Sequence, residues 1–253
     1  MPRRTNTHVW QAERQASRAR PWLLAFLVLA GGALAPLVAR AHDALGLEEE
    51  FIKGVFSPTF VPPAAESYEL PPIKRVPSFV LRDGAGHRVS TGEVMAGKVA
   101  VVSFVYTACP DRLGCPLASL TLRDLQTRLK DEGLSRDAVL LSISFDPLRD
   151  TPAQLAKYAR VYGADPSIWR FMTAPSRRIL ESVLESYGQD RAPVYDEHGR
   201  FTGRYAHVVK VFLVDQEGYI RNIYSSGFLV PELVVNDIKT VLAGTASRSA
   251  QAR

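Results

Sequence analysis

The fold is decided by residues 99–129, VAVVSFVYTACPDRLGCPLASLTLRDLQTRL. The first eight of these residues are almost wholly apolar, which is typical of a β-strand covered on both faces. The leucines that follow, at positions 117, 120, 122, 125 and 129, recur near helical spacing and predict a helix that begins near Pro116. A buried strand that leads directly into a helix indicates an α/β fold with parallel strands.

The same alternation continues on either side of this stretch. Asp150-Thr151-Pro152 supplies an N-cap residue and a first-turn proline for the next helix. Hairpins are predicted around Gly84 and around Gly218. The other predicted strands are residues 139–145, 168–172, 208–214 and 219–224, and the other predicted helices are residues 177–187 and 231–242. This order is the thioredoxin-like α/β arrangement, with an N-terminal β-hairpin and inserted elements.

Residues 1–41 form a leader with the pattern of an export signal. Six arginines lie in this segment, residues 22–38 carry no charge, and Ala39-Arg40-Ala41 presents the small residues that a signal peptidase reads. We expect a signal peptide or, if it is not cleaved, an N-terminal membrane anchor. The body is therefore expected in the periplasm or another extracytoplasmic space, and anchored to the inner membrane if the leader is retained.

Beyond the leader, composition divides the chain into a tether, a domain and a tail. Residues 42–77 are proline-rich and predict a tether with little regular structure, residues 78–243 the domain, and residues 244–253 a flexible tail. Six of the 31 basic residues and one of the 26 acidic residues lie in the leader, so the rest holds 25 of each. Without a basic excess to neutralise phosphates, the domain is not expected to bind nucleic acid.

The two cysteines of the chain, Cys109 and Cys115, lie in the turn between the buried strand and its helix. The amino end of a helix stabilises a thiolate, and ligands of open α/β sheets bind at the carboxyl ends of strands. A purely structural disulfide is the alternative, but closing so short a loop contributes only about 2.4 kcal/mol, against about 4.7 kcal/mol for a hundred-residue loop. A structural zinc site is disfavoured because it needs four protein ligands.

Three separated motifs resemble those of the Sco/SenC family. They are Thr107-Ala108-Cys109-Pro110-Asp111 with Cys115-Pro116, the segment SISFDPLRDTP at residues 142–152, and His207 followed by VFLVD at residues 211–215. The resemblance covers about residues 70–243. It implies a thioredoxin fold, one copper ion per chain bound by Cys109, Cys115 and His207, and assembly of the binuclear copper centre of cytochrome c oxidase.

Two thiolates and one imidazole form a soft donor set that favours Cu(I) and can also hold Cu(II). Asp146 is expected to orient a metal ligand through a hydrogen bond, with a simple turn residue at a strand end as the alternative. The family usually has three residues between its cysteines, whereas this chain has five, so the loop must bulge, with Gly114 as the expected point of relief. Ala206 stands where the family commonly has an acidic residue.

The favoured function is a copper metallochaperone. Its expected partners are the copper-binding subunit of a cytochrome c oxidase or a related copper enzyme, and other copper chaperones. The alternative is a thiol–disulfide oxidoreductase in which Cys109 and Cys115 are the catalytic pair and reduce the copper-ligand cysteines of the target; this reaction does not need His207. A peroxidase of the thioredoxin superfamily is disfavoured because the usual Thr-x-x-Cys spacing is absent, since Thr107 stands only two residues before Cys109. A non-catalytic adaptor that has lost the site is disfavoured because all three ligands are retained.

Overall fold

The structure is a computed structural model that describes residues 60–251, with side chains described up to residue 245. The predicted leader and the first part of the predicted tether lie outside the described residues. Within residues 60–251, no helix combines the length and the apolar character needed to cross a membrane.

Ten strands, five α-helices and a short 3₁₀-helix (Ser226–Phe228) make up the regular structure of residues 60–251. The strands are β1 (Lys74–Arg75), β2 (Val80–Asp83), β3 (Arg88–Ser90), β4 (Val99–Val105), β5 (Ala138–Ser144), β6 (Trp169–Thr173), β7 (Ala192–Tyr195), β8 (Phe201–Ala206), β9 (Val211–Val214) and β10 (Tyr219–Tyr224). The helices are α1 (Thr91–Met95), α2 (Cys115–Asp131), α3 (Pro152–Val161), α4 (Arg177–Tyr187) and α5 (Pro231–Gln251).

Eight strands form one mixed sheet in the order β1-β10-β9-β4-β5-β6-β2-β3. The central strands β4, β5 and β6 run parallel, and antiparallel neighbours flank them on both sides. Strands β7 and β8 form a separate two-stranded antiparallel sheet. The predicted thioredoxin-like fold is thus confirmed, including its N-terminal hairpin of β2 and β3.

Helices cover both faces of the central strands, which explains why those strands are apolar throughout. On β4, Val102 and Phe104 pack in the cluster that contains residues of α4, whereas Val99 and Val101 pack with residues of α2, α3 and α5. Every residue of β4 and of β5 is buried. The central strands are therefore the rigid base from which the connecting loops project.

Three connections meet at one edge of this sheet. Parallel strands β4 and β5 both end there, and antiparallel β9 begins there. The β4–α2 turn carries both cysteines, the β5–α3 turn carries Asp146, and the link that precedes β9 carries His207. The topology alone thus brings the three sequence motifs to the same end of the domain.

Several element boundaries differ from the prediction. The strand predicted over residues 208–214, directly after His207, begins too early: β9 begins at Val211, and His207 lies in the link after β8. The sequence does not predict the β7–β8 hairpin, whose residues are mostly exposed and lack a buried apolar face. Neither does it predict the short helix α1. Helix α5 continues to Gln251 instead of ending at Leu242, and so enters the segment expected as a tail.

The described end of the predicted tether, residues 60–77, lies against the domain. Strand β1 pairs with β10 at the edge of the sheet, which the prediction of little regular structure misses. The Tyr68 hydroxyl donates to the buried Asp237 carboxylate on α5, and the Glu66 amide donates to the Thr240 hydroxyl at 2.8 Å. These bonds attach the segment to the last helix.

Candidate metal centre

Two tight turns shape the loop that joins β4 to α2. The Cys109 amide donates to the Tyr106 carbonyl at 3.2 Å, and the Gly114 amide donates to the Asp111 carbonyl at 3.0 Å. The second of these turns lies within the five residues between the cysteines, and α2 begins at Cys115 itself. The second thiol therefore sits at the amino end of a 17-residue helix.

Gly114 lies where the loop leaves little space for a side chain. Its φ of −94° lies outside the left-handed region. A Cβ added at Gly114 would lie 3.3 Å from the Asp111 carbonyl oxygen and 3.3 Å from an Asp111 carboxylate oxygen. Close approach of the chain to Asp111, together with a ψ of −120° that lies outside the usual α and β regions, favours glycine at this point of the bulge.

The loop brings the three predicted ligands together. The Sγ atoms of Cys109 and Cys115 and a ring nitrogen of His207 all lie within 4.8 Å of one another. Cys115 Sγ and His207 Nε2 are 3.5 Å apart. Both cysteines are free thiols. Cys115 is buried, whereas Cys109 and His207 are half-buried, so the centre is reached from solvent through these two residues.

The His207 ring is oriented by a contact at Nδ1, the ring nitrogen that does not face the thiols. Its Nδ1 lies 3.2 Å from the Tyr205 carbonyl oxygen. A proton on Nδ1 donates to this carbonyl and leaves the lone pair of Nε2 directed to the thiols, which is the arrangement of metal-binding histidines in general. The rings of Phe145 and Tyr106 pack against the imidazole with centroids 4.9 Å and 5.7 Å away.

The two thiols differ in acidity. The hydrogen bond with Cys115 is the main cause that lowers the pKa of Cys109 to about 6, against the opposing effect of burial. The hydrogen bond with Cys109, together with burial, raises the pKa of Cys115 well above its ordinary value. At neutral pH, Cys109 is therefore mainly a thiolate and Cys115 a thiol, which makes Cys109 the nucleophile of the pair.

Asp150 ties the cysteine loop to the end of β5. Its buried carboxylate accepts from the Thr107 amide at 3.1 Å, from the Thr107 hydroxyl at 2.6 Å and from the Ser144 hydroxyl at 2.6 Å. Burial raises the pKa of Asp150, and these hydrogen bonds oppose the shift. No local sequence pattern predicts this role, since Thr107 lies 43 residues away along the chain. The one sequence signal was its place in the SISFDPLRDTP motif.

Asp146 lies one step away from the predicted ligands. Its buried carboxylate pairs with Arg149 and accepts from the Tyr205 hydroxyl at 3.4 Å. Tyr205 in turn holds His207 through its carbonyl oxygen. The expected influence of Asp146 on a ligand stays a prediction, and the path for it runs through Tyr205.

The donor set suits a soft metal ion. Two sulfur atoms and one imidazole nitrogen that already converge need little movement to bind Cu(I) in a three-coordinate site. Within the described part of the chain, this group holds three donors, one fewer than a structural zinc site uses.

The sequence of this chain is similar to those of known proteins. Residues 69–243 match the family model described as SCO1/SenC. A SCO1 protein homolog of Bacillus subtilis (strain 168) is 30% identical over 176 residues, which cover 69% of this chain and 83% of that protein. A Stutzerimonas stutzeri protein described as a candidate copper-binding protein is 36% identical over 152 residues, which cover 60% of this chain and 70% of that protein.

A solved structure has the same fold. It is that of BsSco, described as a member of the Sco family of cytochrome c oxidase assembly proteins with a disulfide switch. The two chains are 28% identical and superpose with a TM-score of 0.55, over 69% of this chain and 98% of the other.

Proposed function

Because this chain belongs to the SCO1/SenC family, we propose that it is a copper metallochaperone. It binds one copper ion per chain through Cys109, Cys115 and His207. It delivers this copper to the binuclear copper centre of a cytochrome c oxidase or a related copper enzyme.

One observation carries the proposal: the two thiols and the imidazole converge within 4.8 Å although His207 lies 92 residues from Cys115 along the chain. A structural disulfide needs only the two cysteines and does not explain why a histidine converges with them. Three converging soft or borderline donors are instead typical of a metal site. The description of the Stutzerimonas stutzeri relative as a candidate copper-binding protein agrees with this donor chemistry.

The site also suits release of its cargo. Cys109 and His207 are half-buried, so a ligand of a partner protein can approach copper from the solvent side. The buried Cys115 can still hold the ion from the interior of the domain. Transfer then proceeds by stepwise exchange of ligands between the two proteins. A thiolate at neutral pH on the accessible residue Cys109 favours capture of Cu(I) at the start of this exchange.

The transfer experiment uses the copper-loaded full chain and a copper-free, reduced copper-binding domain of an oxidase subunit. We expect two equivalents of Cu(I)-loaded protein to fill the binuclear centre, because each chain carries one ion. The visible absorption of the centre should then develop fully when added ferricyanide removes one electron, since Cu(I) itself does not absorb visible light. As a matched control, His198→Ala removes an exposed turn histidine and should transfer normally. Failure of the loaded protein to transfer copper to a domain that takes up free copper would refute delivery.

A second function is favoured by the unequal acidity of the two thiols. The Cys109 thiolate attacks one sulfur of a target disulfide and forms a mixed disulfide, and the other target sulfur leaves as a thiolate. Cys115 then loses its proton and attacks Cys109 Sγ, so the second target thiolate leaves. The target is reduced to a dithiol, this chain is oxidised to a disulfide, and an external thiol reductant restores it.

Mutation separates the two functions. His207→Ala should abolish tight copper binding and leave reduction of an oxidised oxidase domain largely intact, while Cys109→Ser should abolish both. Unchanged disulfide reduction by Cys109→Ser would remove the reductase function.

The proposed work takes place outside the cytoplasm, either in the periplasm or at the inner membrane. Support comes from the export pattern of residues 1–41 and from the copper recipient that we propose. Protease treatment of spheroplasts checks this: the domain should be digested while cytoplasmic markers survive.

A further inference from the structure

The position of His207 depends on a hairpin that lies outside the main sheet. His207 follows β8 directly, and its ring is held by the carbonyl of Tyr205 within β8. Strands β7 and β8 share no ladder with the eight-stranded sheet. A two-stranded hairpin is at best marginally stable by itself, so contacts from the main domain must hold β8 in place.

Arg149 supplies contacts of this kind from the β5–α3 turn. Its Nη2 donates to the Gly203 carbonyl oxygen within β8, and its Nε donates to the Asp146 carboxylate. The guanidinium carbon also lies 5.5 Å from the ring centroid of Phe201 and 5.8 Å from that of Tyr205. One side chain thus joins the loop after β5 to three residues of β8.

The strand is built to receive this guanidinium. Gly203 has a φ of +80°, and a Cβ added there would lie 2.5 Å from Arg149 Nη1. The backbone angle therefore favours glycine at this position, and a larger residue would also displace the guanidinium of Arg149 from where it now lies. Asp146, whose side chain is 2% exposed, fixes the other end of the same guanidinium.

The residues after His207 are held separately. The Gln189 side-chain amide donates to the Val208 carbonyl at 3.0 Å. Arg191 lies over the Tyr205 ring at 4.8 Å, but it directly precedes β7 and so does not join the hairpin to the main sheet. On the side of His207 that sets the imidazole ring, Tyr205 also donates its amide to the Tyr106 hydroxyl at 3.5 Å and packs against Phe145. Arg149 is the side chain there that reaches across to the Gly203 backbone, and Gln189 holds the side that leads into β9.

We propose that Arg149 is a positioning residue of the metal centre: by clamping β8 to the β5–α3 turn, it holds His207 within reach of the two thiols. This inference rests on the proposed function insofar as His207 is a copper ligand. The chemistry resembles that of other metal sites, where a group that contacts no metal orients the histidine that does.

A double-mutant cycle tests the proposal on the reduced full chain. Cu(I) affinity is measured by competition with a chromophoric chelator for the unaltered protein, Arg149→Gln, His207→Ala and the double variant. We expect Arg149→Gln to weaken Cu(I) binding about 10- to 100-fold, and to have little further effect once His207 is removed. Arg204→Gln, an exposed arginine of the same strand, is the control and should leave the affinity unchanged.

An equal loss of affinity from Arg149→Gln with and without His207 would overturn the proposal, since Arg149 would then act on the fold in general. Arg149→Gln leaves the buried Asp146 carboxylate without its cation, so this variant can fail to fold. In that case the variant that carries both Asp146→Asn and Arg149→Gln, which removes both charges, takes the place of Arg149→Gln in the cycle.

A readout without copper keeps the two proposals distinguishable. In the copper-free protein, NMR signals of the His207 ring should broaden or shift in Arg149→Gln and remain unchanged in Arg204→Gln. Unaltered His207 signals in Arg149→Gln would overturn the role of Arg149. Failure of the unaltered protein to bind copper would instead refute the proposed function and leave this comparison valid.

Discussion

At the scale of single residues, the centre is asymmetric. Cys115 is buried at the first turn of α2 and keeps its proton, and the hydrogen bond between the two thiols makes Cys109 acidic. The same bond thus sets both pKa values in opposite directions. An acidic, accessible thiol beside a protected one suits capture of Cu(I) as well as thiol exchange.

The asymmetry predicts the pH dependence of alkylation. The rate of Cys109 modification by iodoacetamide should rise with pH and reach half its maximum near the Cys109 pKa of about 6, because only the thiolate reacts. Cys115→Ala removes the stabilising hydrogen bond and should move this midpoint upward. Peptide mass mapping over a pH series measures it; equal midpoints for the two cysteines would contradict the assignment.

Residue types predicted the ligands, and they did not predict the groups that hold them. Cys109, Cys115 and His207 stand out because each belongs to a recognisable motif. Tyr205 lies outside these motifs and acts through a backbone carbonyl. Asp150 lies within the SISFDPLRDTP motif, but its bond to Thr107 crosses two loops. Such contacts depend on tertiary packing, which a local sequence pattern does not record.

At the scale of elements, the cysteine loop owes its shape to its neighbour, the β5–α3 turn. Asp150 satisfies a backbone amide and a hydroxyl of Thr107 and also the hydroxyl of Ser144. The end of β4, the end of β5 and the start of α3 are thereby fixed to one another. Movement of either turn would move the thiols relative to His207.

Removing this junction should destabilise the domain. Asp150→Ala leaves a buried amide and two hydroxyls without their acceptor and should lower the free energy of unfolding by about 3 kcal/mol. Asp150→Asn should cost less, about 1 kcal/mol, since its amide group still accepts one bond and can donate to a hydroxyl. Urea unfolding measures both. Asp124→Ala, at a half-exposed position on α2, is the control, with an expected change within about 0.5 kcal/mol; a similar loss in all three variants would contradict the role of Asp150.

Elements were predictable where burial leaves a pattern in the sequence. The central strands show an unbroken apolar run and the helices that cover them a helical period, and the structure confirms both. The β7–β8 hairpin carries none, since most of its residues are exposed, yet it positions His207. The error over the start of β9 has the opposite cause: Val208 and Val209 resemble the start of an apolar strand, but residues 208–210 form the link from β8 to β9.

At the scale of the whole molecule, the segment before the domain contributes to its stability. Tyr68 and Tyr224 both donate to Asp237, and the Asn222 amide donates to it at 2.7 Å. This buried carboxylate joins α5, β10 and the incoming chain. The cluster lies on elements that carry none of the predicted copper ligands.

Tyr68→Phe tests the attachment of this segment. It removes one donor to a buried carboxylate and should lower the free energy of unfolding by about 1–3 kcal/mol, while copper binding is unchanged. Tyr195→Phe, at an exposed position of β7, is the matched control and should have no measurable effect. Thermal unfolding and copper stoichiometry are the measurements; a loss of copper with unchanged stability would mean that Tyr68 has a different role.

The central claim is that one copper ion is bound by two thiolates and one imidazole. X-ray absorption at the copper edge tests it on the Cu(I)-loaded full chain, beside His207→Ala and the control His198→Ala. We expect one copper per chain with two sulfur neighbours and one nitrogen neighbour, retained in His198→Ala and reduced to the two sulfurs, with weaker binding, in His207→Ala. A first shell that is the same with and without His207 would contradict the account.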